Sequence, residues 1–385
     1  MSAIGLPTPP GLAPRIALIR SRYEPSGGAE RFVASAVDAL SAYGASLTII
    51  ARHWPDHDGS AILLDPFHVG SLWRDWGFAR AVCTELTRRR FDLVQSHERI
   101  SCCDVYRAGD GVHAAWLAQR ARAQTPLARL ATRLSPHHRY LLATERALFT
   151  NPRLRAVICN SDMVRRDIAQ RFGTPAAKLI LIRNSVDGAF FHPGLRGELR
   201  VAVRQQLNVP QDAKVVVHVG SGFERKGVGA LLQALSHTRT AAWAIVVGKD
   251  KHASRYIARA RQLGLHDRVR FVGSVSDVRP YYAAADCLAL ATLYDPFPNA
   301  VLEAMACGLP VLTTLQCGAA EIVSEGETGF VRDALDIEGI AEALARFDPE
   351  SAARWGANAR DAVSTLTPPA MAKEYLELYQ RLLHR

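Results

Sequence analysis

VVVHVGSGFERKGVGALLQAL, residues 215–235, carries the pattern on which the fold turns. Four valines, with one histidine among them, predict a short strand buried on both faces, as in a parallel sheet. Gly220 and Gly222 close it, and the apolar spacing that follows predicts a helix from about Val228. The loop between them holds Arg225 and Lys226. Two cations beside glycines at the end of a parallel strand can grip a diphosphate, because backbone N–H groups and side-chain charge then point the same way. The plainer alternative is a pair of solvated charges.

Working outward towards the C-terminus, WAIVVGKDK, VRFVGSVSDVRPYY and ADCLALA predict three more strand ends before YDPFPNAVLEAMACGLP at residues 294–310. Asn299 is the expected N-cap of a helix running from Ala300 to Cys307, stopped by Gly308 and Pro310. Asp295 then lies on the loop before the helix and Glu303 one turn inside it. A helix start favours phosphate, and a flanking carboxylate accepts hydrogen bonds from sugar hydroxyls. PVLTT predicts a further strand. Around Pro369 to Leu383, Met371, Tyr375, Leu378, Tyr379 and Leu382 fall at helical spacing.

Towards the N-terminus the same alternation appears. RIALIR at 15–20 predicts a strand, Gly27 and Gly28 a turn that lets backbone approach an anion, residues 29–43 a helix and 46–51 a second strand. FDLVQS predicts a buried strand ending at His97 and Glu98, and DVYRAGDGVH another, followed by Asp110 and His113. Groups just past the carboxyl ends of such strands line the ligand crevice. YLLATERALF predicts an amphipathic helix, and LRAVICNSDMVRRDI a strand, an N-cap at Asn160 or Ser161, and a helix. Asp56 and Asp58 form a D-x-D pattern of the kind that can hold a metal, but in PDHDG it reads as a solvated turn.

Residues 294–310 resemble the E-x7-E signature of the family 4 retaining glycosyltransferases, an α/β family of GT-B fold with two Rossmann-like doubly wound domains facing across a cleft. The resemblance implies that Asp295 holds hydroxyls of the donor sugar and Glu303 the nucleotide ribose, with Phe297, Asn299, Ala300 and Val301 beside them. Asp295 replaces the usual Glu, and Pro298 stands where Gly is common and supplies no N–H. SGGAERF is similar to the family loop over the donor phosphates, which assigns Gly27 and Gly28 to the donor. Residues 271–273, Val272 included, would approach the base. His113 matches, loosely, a histidine beside the reacting sugar, and Asp110 is its rival for the acceptor hydroxyl.

G-S-x-F-x-R-K-G, with Ser221 in the usual Arg position, Lys226 retained and Arg225 supplying the missing charge, resembles the subgroup that glucosylates heptose in the lipopolysaccharide core. The domains implied are 1–188 for the acceptor, 189–366 for the nucleotide sugar, and a helix over 367–385 crossing back to the first. KLILIRNSVDGAFFHPG resembles the family hinge. The expected reaction is metal-independent hexosyl transfer with retention, from a nucleotide-diphosphate sugar such as UDP-glucose and without a cofactor. A GT-B epimerase or phosphorylase, or a silent nucleotide-binding protein, is the alternative.

Composition bounds this reading. At 385 residues, 48% hydrophobic and 22% charged, the chain suits two globular domains. Nearly all of its net charge of +10 sits in the first half, where residues 1–190 hold 25 Lys and Arg against 16 Asp and Glu. Residues 111–144 contain no carboxylate but carry Arg120, Arg122, Arg129, Arg133 and Arg139 with His137 and His138. Such a run suits an anionic membrane surface or an acidic acceptor, or is a solvated face; with no nucleic-acid module beside it, nucleic acid is not expected. Seven cysteines without C-x-x-C spacing argue against a disulfide framework and for a reducing compartment. The expected location is cytoplasmic, peripheral at the inner membrane.

Overall fold

Met1–Ala115, Gln124–Arg183 and Pro369–Arg385 form one compact unit and Trp116–Ala123 with Asn184–Pro368 a second. The computed structural model describes residues 13–22, 44–54, 61–238 and 241–384. Gly27, Gly28, the expected helix over 29–43, and Asp56 with Asp58 lie outside the described residues.

Among the described residues the first unit holds seven strands: β1 (Arg15–Ile19), β2 (Ser46–Ala51), β3 (Ala61–Leu63), β4 (Leu93–Ser96), β5 (Val105–Arg107), β6 (Ala156–Cys159) and β7 (Leu179–Leu181). They lie in the order β3-β2-β1-β4-β5-β6-β7, all parallel. The second holds β8 (Val215–Val219), β9 (Trp243–Val247), β10 (Val269–Gly273), β11 (Cys287–Ala289), β12 (Val311–Thr314) and β13 (Gly329–Arg332), ordered β10-β9-β8-β11-β12-β13 and again parallel. Each is a doubly wound sheet: the strand order reverses direction between β1 and β4, and between β8 and β11.

Strand alternation divides the core of the second unit by face. Val215 and Val217 pack with Leu288, Leu290, Val301 and Met305, while Val216 joins Phe223, Leu231, Val246 and Leu312 on the other side. In the first unit the last helix, Pro368–Leu383, completes the core. Met371, Tyr375, Leu378, Tyr379 and Leu382 pack on Ile16, Leu18, Leu93, Val105 and Ile158. Its phenols are not idle: Tyr379 donates to Gln95 Oε1 at 2.6 Å, and Arg107 Nε donates to the Tyr375 hydroxyl at 3.1 Å. Each fully buried Met or Leu of that stripe contributes roughly 1.5–3 kcal/mol, an upper figure because the unfolded chain already shelters part of it.

Three local expectations are corrected. Arg225 and Lys226 are on a single helical turn, Phe223–Lys226, rather than in a loop. Pro298, not Asn299, precedes the Asn299–Ala306 helix as its N-cap, and Asn299 is its first residue. A single disulfide joins Cys83, on the Gly70–Arg88 helix, to Cys102 after β4, with Cα atoms 5.8 Å apart. It links segments that no short Cys spacing could reveal. Of the two caps left open before the Asp162–Phe172 helix, Ser161 is the one used, accepting from Val164 N.

Candidate active site

In the second unit the switch point lies between β8 and β11, so the chain leaving each strand at its carboxyl end meets the other. Past β8 the backbone turns through Gly222 (φ 79°) into the Phe223–Lys226 turn and out through Gly227 (φ 77°). Both glycines hold left-handed conformations that a side chain would strain. At Gly227 space forbids one as well, since a Cβ would fall 1.7 Å from the carbonyl oxygen of Ala291. The turn is laced to the chain beyond β11: the carbonyl of Arg225 accepts from Thr292 Oγ1 at 2.7 Å and from Leu293 N at 2.8 Å. On its other side Gly222 N donates to Lys249 O, Phe223 N to Asp250 Oδ2, and Lys249 N to Ser221 Oγ. Ser221 is exposed there.

This lacing brings Arg225, Lys226 and Asp295 together. Lys226 Nζ forms an ion pair with Asp295 Oδ2, and Arg225 Nη1 reaches the same oxygen at 3.4 Å and the Tyr294 carbonyl at 3.3 Å. Asp295 is 4% exposed. Its own backbone is held on both sides, with its N–H donating to Gln316 O at 3.0 Å and its carbonyl accepting from Gly318 N at 2.8 Å. Gly220 lies under the lysine stem: a Cβ there would meet Lys226 Cδ at 3.1 Å.

Glu303 sits on the Asn299–Ala306 helix, buried, and its Oε2 accepts from the Tyr282 hydroxyl at 2.9 Å. The helix start is tied by Asn184, whose Nδ2 donates to Phe297 O at 2.9 Å and Asn299 Oδ1 at 2.8 Å. Phe297 and Val301 are core residues, Ala300 is half-buried, and Val272 packs, partly buried, against the same cluster at the end of β10. Tyr282 and Asn184 escaped the sequence reading. The turn that brings a Tyr 21 positions upstream onto Glu303 leaves no mark in spacing.

In the first unit, Asp110 is exposed beyond β5 and His113 is the buried first residue of the His113–Arg122 helix. That helix start is capped from a distant element. Glu145, wholly buried on the Pro136–Phe149 helix, accepts from His113 N at 2.6 Å, from Ala114 N at 3.0 Å and from Arg99 Nε at 3.3 Å. Arg99 also donates to Gly111 O at 3.2 Å. His113 Nε2 lies 3.1 Å from His138 Nδ1, and His137 Nε2 lies 3.0 Å from Asp75 Oδ2. Burial first, then Arg99, His138 and His137, lower the His113 pKa to about 3, so its imidazole is neutral near pH 7. Glu145 was a missed residue with a readable signal. It shares a helix face with the buried Leu148 and Phe149, an odd position for an acid without a partner.

The carboxylate-free run folds into three helices, of which Pro126–Leu134 has no buried residue. Thr125 caps it by accepting from Ala128 N, and Leu127, Leu130 and Leu134 stand out at i, i+3 and i+7 with exposures of 80%, 53% and 64%. Arg129 and Arg133 flank this stripe. No described helix is long and apolar enough to cross a membrane. Among the described residues no group of three or more His, Cys, Asp or Glu side chains is placed to hold a metal ion.

Two family models match the chain. Glycosyltransferase Family 4 covers residues 26–190 and Glycosyl transferases group 1 covers 200–362. Among curated proteins, the lipopolysaccharide glucosyltransferase WaaG of Escherichia coli (strain K12) is 26% identical over 360 residues, 91% of this chain and 94% of that protein. The lipopolysaccharide core biosynthesis glycosyltransferase LpsE of Rhizobium meliloti (strain 1021) is 32% identical over 158 residues, 41% of this chain and 46% of that one. The crystal structure of WaaG superposes with a TM-score of 0.81 at 24% identity, covering 94% of this chain and 99% of that one. Anabaena Alr3699/HepE in complex with UDP-glucose gives 0.70 at 21% identity, covering 96% and 100%. These likenesses show the fold, two parallel-sheet Rossmann-like domains of the GT-B type.

Proposed function

Because the chain belongs to the glycosyltransferases, family 4 in its first half and group 1 in its second, we propose that it moves a hexose, with retention, from UDP-glucose to a heptose of a lipopolysaccharide core or a related cell-surface glycan. The observation that carries the donor side is the convergence of Arg225 and Lys226 with Asp295 at the β8–β11 switch point. Charge that builds on the leaving diphosphate is met by two fixed cations, which serve the role a metal fills elsewhere. Asp295 and Glu303 supply acceptors for hydroxyls of sugar and ribose. The acceptor hydroxyl gives up its proton to His113, to Asp110 or to the departing phosphate itself. Front-face attack accounts for retention, since no carboxylate is assigned as a nucleophile. The names of the relatives WaaG and LpsE support the lipopolysaccharide core as the acceptor.

The partner of the first unit in this reading is the anionic face of the inner membrane, on its cytoplasmic side. A helix that presents three exposed leucines between arginines suits an interface where acyl chains take the leucines and headgroups the cations. The test is sugar release from a panel of nucleotide sugars, with and without core oligosaccharides, comparing the natural protein with Glu303→Ala and Lys226→Ala. Transfer from UDP-glucose to heptose-bearing acceptors, lost in both variants, is expected; full activity in both would sink the donor assignment. Co-sedimentation with anionic vesicles, abolished by changing Leu127, Leu130 and Leu134 together to Ser, tests the membrane arm.

A further inference from the structure

We propose that Asp295 is an exchangeable internal counterion that makes recognition of the donor's sugar depend on recognition of its diphosphate, an inference that rests on the donor reading above. Lys226 and Arg225 both end on one oxygen, Oδ2, of a carboxylate almost sealed from water. Asp295 and Lys226, with side chains 6% and 12% exposed, are largely cut off from water and depend on each other, whereas Arg225 is 38% exposed and also donates to the Tyr294 carbonyl. Nothing in the lacing lets the loops part. The Arg225 carbonyl is held by Thr292 and Leu293, Gly227 lies against Ala291, and the Asp295 backbone is fixed by Gln316 and Gly318. What can change is side-chain torsion.

A diphosphate competes for the same two cations with more ionised oxygens than Asp295 offers, and it displaces the carboxylate. A displaced Asp295 without donors in a nearly dry site is costly. Bare pyrophosphate imposes that cost and returns nothing. A sugar nucleotide returns it, because hydroxyls of the hexose donate to the released carboxylate. The aspartate thus penalises fragments of the donor and favours the intact molecule, a specificity built from an unpaired group rather than from contact area.

The experiment is calorimetric binding of inorganic pyrophosphate and of UDP-glucose to the full chain and to its Asp295→Asn and Asp295→Glu variants, with thermal unfolding as a check that each is folded. Asp295→Asn should bind pyrophosphate about ten-fold more tightly than the natural protein, as expected for one charge-assisted hydrogen bond no longer competing. Its unfolding midpoint should be lower without pyrophosphate and rise further with it, since two cations are left without their anion. Its preference for UDP-glucose over pyrophosphate should shrink by the same factor. Asp295→Glu, which keeps the charge, should stay within about two-fold of the natural protein for pyrophosphate. A folded Asp295→Asn that binds pyrophosphate no better than the natural protein overturns the counterion and leaves the donor reading standing. Tighter pyrophosphate binding with no binding of UDP-glucose or any other sugar nucleotide supports the counterion, and it overturns both the donor reading and the coupling to sugar.

Discussion

Asp295 in the second unit and Glu145 in the first are both buried acids beside an arginine, yet their remaining partners differ in kind. Asp295 ends on the side chains of Lys226 and Arg225, which a ligand can take over. Glu145 ends on the N–H groups of His113 and Ala114 as well as on Arg99, and backbone donors at a helix start have no other use to be won for. The first arrangement is an exchangeable pair; the second is a fixed cap. Burial and charge alone do not separate them, and the identity of the donors does.

Three measurements break or sharpen that contrast. Glu145→Ala should act on stability, costing about 3 kcal/mol in urea unfolding because it leaves the half-buried Arg99 without its acid and the His113–Arg122 helix without its cap. A loss below about 1 kcal/mol would mean that the cap holds nothing. Lys226→Ala should instead act on the reaction, lowering kcat/KM for transfer roughly 10²–10³-fold, as for removal of one group that stabilises transition-state charge. A folded variant within ten-fold of the natural protein would place the cation away from the leaving group.

The smallest effect concerns pH. The folded pKa of His113, about 3, lies below its ordinary 6.5, so the unfolded chain binds the proton more readily. The associated stability is therefore complete above about pH 6.5 and is lost as pH falls from there towards about 3. His218, lowered to about 4 by burial, contributes with the same sign. In His113→Gln the fall in unfolding midpoint between about pH 7 and pH 4 should be shallower than in the natural protein but not absent. An unchanged slope would remove His113 from the account.

Much of the architecture was legible because parallel strands announce themselves as unbroken apolar runs. The expected strands at 46–51 and 215–219 coincide with β2 and β8 at both ends. The stripe from Met371 to Leu382 is buried at every position named, though only the packing tells which core it enters. Less legible were features shorter than the period that would reveal them. Four residues between two left-handed glycines show no helical repeat, so the Phe223–Lys226 turn read as loop. At Pro298–Asn299 two residues compete for one cap, and the fixed φ of proline takes the position before the helix. Long-range pairs were the least legible of all. The Arg225, Lys226 and Asp295 cluster was half-seen because two sequence motifs each pointed at a ligand, whereas Glu145 with Arg99, His113 with His138, and Cys83 with Cys102 are set by packing alone.

The placement of the Pro368–Leu383 helix has a consequence for the order in which the protein is made. Its side chains wall the same core as β1, β4, β5 and β6, so that earlier-made sheet cannot close its core until residues 368–383 have emerged from the ribosome. All strands of the second unit, by contrast, are complete once β13 is out at Arg332. Translation and folding therefore run in opposite directions here. A nascent chain halted before residue 368 presents the uncovered apolar face of its first sheet to chaperones, however sound the second unit already is.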